Sequence, residues 1–367
     1  MRVTKSIAFF PFVVNRLTPY IEYIINFFWR DTTMKRFFVI ALTLFMLVLP
    51  LSACGKTGNT TTVKVCEVTH SVFYAPLYYA VNAGYFTEEG IQIELTNGGG
   101  ADKCMTALLS GDADVGFMGP ESAIYVYEAG KSDYAQVFGQ LTKRDGSFLV
   151  SRKAEPNFKW TDLAGKTVIA GRRGGVPAMT FEYVCKNNGL INGNNVNLNL
   201  DVAFNMMAGA FEGGQGDYVT LFEPTASEFE AAGKGHIVAS VGAESGEIPY
   251  TCFIAKKSWL KKQEKTAEKF LRAIYRAIYD MQTKSPLEIA EKLAPSFVGT
   301  DVNSLKTAVE SYLSIDAWCK NMAMTESSFI RLQTVMMSAG ELEEYTSYAA
   351  ITNNALAEKL YAEFFPA

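Results

Sequence analysis

The chain has few of the residues from which most catalytic and metal sites are built. Its 367 residues include only two histidines, His70 and His236, far apart and without a His-x-x-x-His spacing, so no usual zinc or iron ligand set is signalled. There is no Cys-x-x-Cys, no Gly-x-Ser-x-Gly nucleophile elbow, no G-x-G-x-x-G dinucleotide fingerprint and no P-loop ending in Gly-Lys-Ser/Thr. An excess of basic charge is lacking too: 34 Lys and Arg against 38 Asp and Glu give a net charge of −4, unlike the basic balance of a nucleic-acid binder. What is present is an ordinary globular composition, 49% hydrophobic and 20% charged, in a chain long enough for two lobes.

Near the start, Met34-Lys35-Arg36 precedes an apolar run from Phe37 to Leu49, then Pro50 and Leu51-Ser52-Ala53-Cys54-Gly55. The run is too short for a comfortable transmembrane helix. A basic start, a short apolar stretch and small residues before a cut describe a secretory signal. The Leu-Ser-Ala-Cys ending resembles the lipobox of bacterial lipoproteins, which implies that Cys54 becomes a lipidated N-terminus. Met34 then reads as the true start, with a long n-region as the alternative for residues 1–33. Removing residues 1–53 takes away six of the 34 basic and two of the 38 acidic residues, which leaves a mature net charge of −8. Residues 54–62, with the polar run KTGNTTT, read as a flexible tether. Five cysteines then remain, Cys66, Cys104, Cys185, Cys252 and Cys319. Their odd number and wide spacing point to buried single thiols rather than a disulfide framework.

From Val63 the pattern alternates β-rich runs with helical ones: strands at 63–68, 91–95 and 114–118, helices at 75–83 and 103–109. A second series follows, with strands at 167–170, 198–202 and 218–222 and helical stretches at 177–188 and 206–211. The local chemistry repeats as well. Gly111-Asp112-Ala113-Asp114-Val115 leads through a strand into Gly119-Pro120-Glu121, and Gly216-Asp217-Tyr218-Val219 leads through one into Glu223-Pro224. The expectation is an α/β fold of two similar lobes with mostly parallel sheets: lobe I from residues 63–150 plus 251–367, lobe II from 151–250. Hinge segments are expected near Val150 to Pro156 and Ile248 to Thr251, and helices between Trp259 and Phe364 should cap lobe I.

Ligands of open α/β sheets bind beyond the carboxyl ends of the strands, so facing lobes would present their loops to one cleft. Candidates are His70, Phe73 and Tyr74 after the first strand, and the glycine loop with Gly99, Gly100, Ala101 and Asp102. Gly119, Pro120 and Glu121 follow the third strand. Arg144 ends another, and Arg172, Arg173, Gly174, Gly175, Val176 and Pro177 open a second-lobe helix. Glycines let backbone N–H groups approach a ligand, and helix N-termini favour electron-rich groups. Flat rings suit a flat ligand. Each motif alone also reads as a plain turn, a core residue or a solvated charge. No catalytic or metal site is predicted and no cofactor is implied.

Ala75-Pro76 with Gly84-Tyr85-Phe86 and Gly90, Ala107-Leu108 with Gly111-Asp112-Ala113-Asp114, Asp162-Leu163-Ala164-Gly165-Lys166 and Glu223-Pro224 occur in an order that resembles a known family. It is the extracytoplasmic substrate-binding proteins of ABC importers that include sulfonate, taurine, nitrate and thiamine-pyrimidine binders. The resemblance implies a periplasmic-binding-protein-like fold, a monomer that closes on a small solute and docks on a membrane permease with its ATPase, held to the membrane by its lipid. It adds Asn205 and Glu223 to the ligand-binding candidates. A thiamine-pyrimidine-like heteroaromatic solute is favoured, with a small anion such as a sulfonate or nitrate as the alternative. A pyrimidine-forming enzyme on the same fold and a sensor input lipoprotein are readings of another class.

Overall fold

The computed structural model describes residues 60–366. The signal-like segment, Cys54 and nearly all of the expected tether lie outside the described residues. The first sheet has the strand order β2-β1-β3-β10-β4 and the second β7-β6-β8-β5-β9. The strands are β1 (Thr61–Glu67), β2 (Ile91–Asn97), β3 (Val115–Met118), β4 (Ala135–Gln140), β5 (Ser147–Ser151), β6 (Thr167–Ile169), β7 (Asn197–Asn199), β8 (Tyr218–Phe222), β9 (His236–Ser240) and β10 (Cys252–Lys256). The central strands β3, VGFM, and β8, YVTLF, are buried along their whole length. Such unbroken burial is what a strand covered on both faces requires.

The two sheets are built alike. In each, three parallel strands are followed by one antiparallel strand, β10 or β5, inserted before the edge strand. The repeated Gly-Asp motifs do the same job in both. Asp114 Oδ2 accepts from the Lys64 N–H at 2.9 Å while the Asp114 N–H donates to the Lys64 carbonyl. Asp217 Oδ2 accepts from the Thr167 N–H at 2.8 Å while the Asp217 N–H donates to the Thr167 carbonyl. Each aspartate thus pins the start of the third strand of its lobe to the first, at Lys64 in the middle of β1 and at Thr167 at the start of β6, which fixes the register.

The antiparallel strands are the ones that arrive from the other lobe. β5 follows β4 of the first sheet and joins the second; β10 follows β9 of the second and joins the first. The outward crossing is therefore at residues 141–146. Val150 to Pro156, expected as a hinge, begins inside β5 and continues within the second lobe, because Ser147 to Ser151 pair with β8 and β9. The return crossing at 246–251 runs beside the outward one. Ile248 N–H donates to the Lys143 carbonyl, Tyr250 N–H to the Thr142 carbonyl, and Leu141 N–H to the Thr251 carbonyl, at 2.9–3.1 Å.

The long helix Glu264–Met281 buries the stripe Phe270, Ile274, Ala277 and Ile278 against the first lobe. The later helices do more than cap that lobe. Tyr312, on Val302–Ser314, donates its hydroxyl to the Gly146 carbonyl and accepts from the Glu223 N–H of the second lobe. Arg331, on Glu326–Ser338, donates to the Ser245 carbonyl at 3.0 Å, and Lys186 of the second lobe reaches the Ser338 carbonyl.

Phe73 closes the core at this junction. It is fully buried, with its ring 5.1–5.7 Å from those of Tyr74, Phe222, Tyr250 and Tyr312. Truncating so enclosed a ring leaves a cavity as well as lost apolar burial. Phe73→Ala should therefore lower the urea-unfolding free energy by about 3–5 kcal/mol; a loss below about 1 kcal/mol would remove Phe73 from the joint core.

Candidate functional site

The loops that follow the carboxyl ends of β1, β2, β3, β6 and β8 meet between the lobes. They enclose an inner chamber of about 50 Å³ and an outer one of about 190 Å³. Phe204 and Phe222 line both chambers, and their rings pack edge to face at 5.3 Å. Both volumes lie well under the roughly 300–1,000 Å³ typical of drug-sized pockets.

The inner chamber takes Tyr74, Gly100, Ala101, Gly119 and Glu121 from the first lobe, and Arg172, Gly175, Val176 and Pro177 from the second. Tyr250 and Thr251 of the return crossing also line it. Gly100 and Gly175 stand at the N-termini of helices Ala101–Ser110 and Val176–Asn187, neither of which has a side-chain cap. Of the second helix's first turn, Pro177 has no N–H and the Val176 N–H is taken by Glu121 of the opposite lobe; the first helix begins without such a partner from its N-cap. The lobes already touch: Arg172 pairs with Asp102 at 3.5 Å, and the Tyr125 hydroxyl donates to the Gly174 carbonyl at 3.0 Å.

Glu121 is the most unusual group in the site. It opens the helix Glu121–Glu128, is 2% exposed, and its Oε1 accepts from the Val176 N–H of the opposite lobe at 3.4 Å. Its Oε2 is buried with no hydrogen-bond partner. Burial pushes this carboxyl up to about 7, against the lowering influence of the backbone donors and Arg172. The Tyr250 hydroxyl is buried beside the Asp145 carboxyl, and desolvation together with that neighbour raises it well above the ordinary phenol range. Glu121, with its buried unpartnered oxygen, shares the lining of this chamber with the rings of Tyr74, Phe204 and Phe222.

His70, Asn205 and Glu223 line the outer chamber. His70 is held as a strut: Nδ1 lies 3.0 Å from Glu67 Oε1 and 3.0 Å from the Tyr78 hydroxyl, and Nε2 donates to the Ser296 carbonyl at 2.7 Å. The hydrogen bond to Glu67 raises its pKa. Glu223 is turned to Ser227 and Ser311, at 2.7 and 3.2 Å, and burial raises its carboxyl. Gly99 lies against Asn205 at the rim, and Pro120 caps the helix that begins with Glu121.

Three candidates lie elsewhere. Phe73 is enclosed in the core, where other rings surround it. Arg144 faces Glu247 beside the crossing at 3.6 Å. Arg173 is exposed, because its N–H is tied to the Leu200 carbonyl while the Gly175 N–H closes a turn on the Arg172 carbonyl. The turn sends Arg172 inward and Arg173 to solvent. Val68, Phe204, Phe222, Tyr250 and Thr251 line the chamber without having been singled out; Phe222 and Thr251 end a strand and a crossing that were read, while Phe204 has no such signal.

The NMT1/THI5-like family model matches residues 72–288. A Bacillus subtilis (strain 168) protein, YtlA, named as a candidate binding protein, is 43% identical over 317 residues, which covers 86% of this chain and 95% of that protein. Among solved structures, the alkanesulfonate-binding protein SsuA of Xanthomonas axonopodis pv. citri, bound to MOPS, superposes with a TM-score of 0.65 at 14% identity over 82% of this chain and 100% of its own. The periplasmic nitrate-binding protein NrtA of Synechocystis PCC 6803 superposes with a TM-score of 0.66 at 15% identity over 84% and 89%. These two share the fold, the type II periplasmic-binding-protein arrangement of two mixed five-stranded sheets.

Glu121 and Asp145, both fully buried, sit near 7 from ordinary values of 4.5 and 3.8. Burial is the main cause for each, although Ser147 donates two hydrogen bonds to Asp145 Oδ1. The folded chain thus binds more protons than the unfolded chain between those limits. The associated stability is fully present below pH 4 and is lost as pH rises through 7. Urea unfolding should show a lower free energy at pH 8 than at pH 5, and Glu121→Gln should remove up to about 3 kcal/mol of that difference. An unchanged pH dependence in the variant would place the Glu121 carboxyl in water.

Proposed function

The chain belongs to the NMT1/THI5-like family, and on that premise we propose that it is the solute-binding component of an ABC importer. In this reading it is a lipid-anchored extracytoplasmic receptor that captures a small flat heteroaromatic solute and delivers it to a membrane permease with its ATPase. YtlA is named for binding, and the SsuA and NrtA structures carry solute-binding names. The paired lobes with a two-segment crossing suit closure on a ligand, in which a solute gripped by both walls shifts the population toward the closed form.

One observation carries the choice of solute: the unpartnered Oε2 of buried Glu121, a residue that lines the inner chamber together with aromatic rings. A ring bearing an N–H or amino edge satisfies that oxygen and stacks on the rings, as a thiamine-pyrimidine-like aminopyrimidine does. An anion would meet a carboxyl instead. A second reading, a sulfonate or nitrate, draws on Arg172 and the uncapped helix start at Val176.

A thermal-shift and calorimetry panel separates the two. The aminopyrimidine at about a hundredfold excess over Kd should stabilise the protein by roughly 2.7 kcal/mol. Glu121→Gln should weaken its binding by about 10–100-fold, the effect of losing a hydrogen bond to a charged group. Stabilisation by taurine or nitrate alone, weakened by Arg172→Ala, would transfer the assignment to anions. Co-purification with a permease supports import; co-purification with a kinase ectodomain would favour sensing.

A further inference from the structure

Two of the five described cysteines are neighbours in space although 38 residues apart in sequence. Cys66 lies on β1 and Cys104 in the second turn of the helix Ala101–Ser110, with their Sγ atoms 3.2 Å apart. A disulfide needs about 2.05 Å between sulfurs, so the pair has to close by about 1 Å. The loop joining β2 to this helix makes room for them. A β-carbon at Gly98 would stand 2.7 Å from Cys104 Sγ and 3.1 Å from Cys66 Sγ, closer than van der Waals contact allows. The same loop carries Gly100 and Ala101, which line the inner chamber.

We propose that Cys66 and Cys104 are an oxidisable pair that closes into an intramolecular disulfide, stapling the helix that follows the cleft's glycine loop to the first strand. The chemistry is independent of the solute; its oxidising setting rests on the export reading. Sharing a proton with Cys104 lowers the Cys66 thiol to about 7, while the partner thiol is raised, so Cys66 is the stronger nucleophile of the two. The oxidant is a small disulfide such as oxidised glutathione. The Cys66 thiolate attacks one of its sulfurs, its S–S bond breaks and one thiol leaves. Cys104, losing its proton, then attacks Cys66 Sγ, breaks the mixed disulfide and releases the second thiol. The pair gives up two electrons and two protons, and the oxidant takes them up as two thiols. Cys66 is 4% exposed and Cys104 wholly buried, so the bond forms during folding or a local opening.

The test refolds the full chain from denaturant in reduced or oxidised glutathione, quenches with acid, and alkylates under denaturing conditions before mass spectrometry. After reducing refolding, all five described cysteines should take the label. After oxidising refolding, Cys66 and Cys104 should be unlabelled, with their peptides joined and the mass lower by two hydrogens, while Cys185, Cys252 and Cys319 remain labelled. The oxidised chain should melt at a higher temperature than the reduced one, a difference that Cys66→Ser abolishes. Gly98→Ala should lower the yield of the link. Full labelling of both thiols after oxidising refolding, or a link from either one to another cysteine, would overturn the proposal. Aminopyrimidine binding is measured on the same samples, so failure of the solute reading and failure of the disulfide remain distinct.

Discussion

The structure depends on two short crossings that are bonded to each other. Residues 141–146 carry the chain out of the first lobe and residues 246–251 carry it back, and their backbones pair from Leu141 to Ile248. Each crossing ends in an antiparallel strand inserted beside a parallel set, so neither lobe has a complete sheet without a strand reached through the other. Rotation between the lobes must concentrate where these paired segments meet. Tyr250 and Thr251 lie there and also line the inner chamber. The inner chamber is thus floored in part by the segment that joins the two lobes.

The electrostatics of the cleft fit this arrangement. A carboxyl from one lobe, Glu121, faces the first N–H of a helix in the other, Val176, at 3.4 Å. The bond is long and leaves the second oxygen unpartnered, a buried acceptor with an unmet demand for a donor. A second buried carboxyl, Asp145, lies within the outward crossing and has one oxygen in the same condition. Buried groups of this kind are costly unless bonded. Both lie at the junction of the lobes, Glu121 against Val176 of the opposite lobe and Asp145 beside Tyr250 of the return crossing.

Much of this architecture was legible in the sequence because it repeats. The two Gly-Asp motifs announce the same backbone pin in both lobes, and the runs at 147–151 and 218–222 are strands over the bounds at which they read as strands. Which sheet β5 joins was not legible, since the short apolar run Phe148 to Val150 states that it is buried and not what buries it. The same gap explains Phe73 and Phe204: both are aromatic residues near strand ends, yet tertiary packing sends one into the core and the other into the cleft. Arg172 and Arg173 differ only by a turn that involves Leu200, 27 residues away. β9, HIVAS, is a half-exposed edge strand without clean alternation and left no signal. The Cys66 and Cys104 contact required the placement of a helix on a strand, which wide spacing in sequence conceals.

The C-terminal helices belong by packing to the first lobe, but their side chains hold the second. The Tyr312 hydroxyl bridges the Gly146 carbonyl and the Glu223 N–H, Ser311 reaches the Glu223 carboxylate, and Arg331 binds the Ser245 carbonyl. Glu223, which the Tyr312 and Ser311 bonds hold, also lines the outer chamber, whereas Tyr312 and Arg331 stand apart from the inner one. Any separation of the two lobes has to unfasten this clasp or carry it along. The ease of that separation is thereby tied to helices late in the chain, and substitutions at Tyr312 or Arg331 would retune it while the inner chamber keeps its lining.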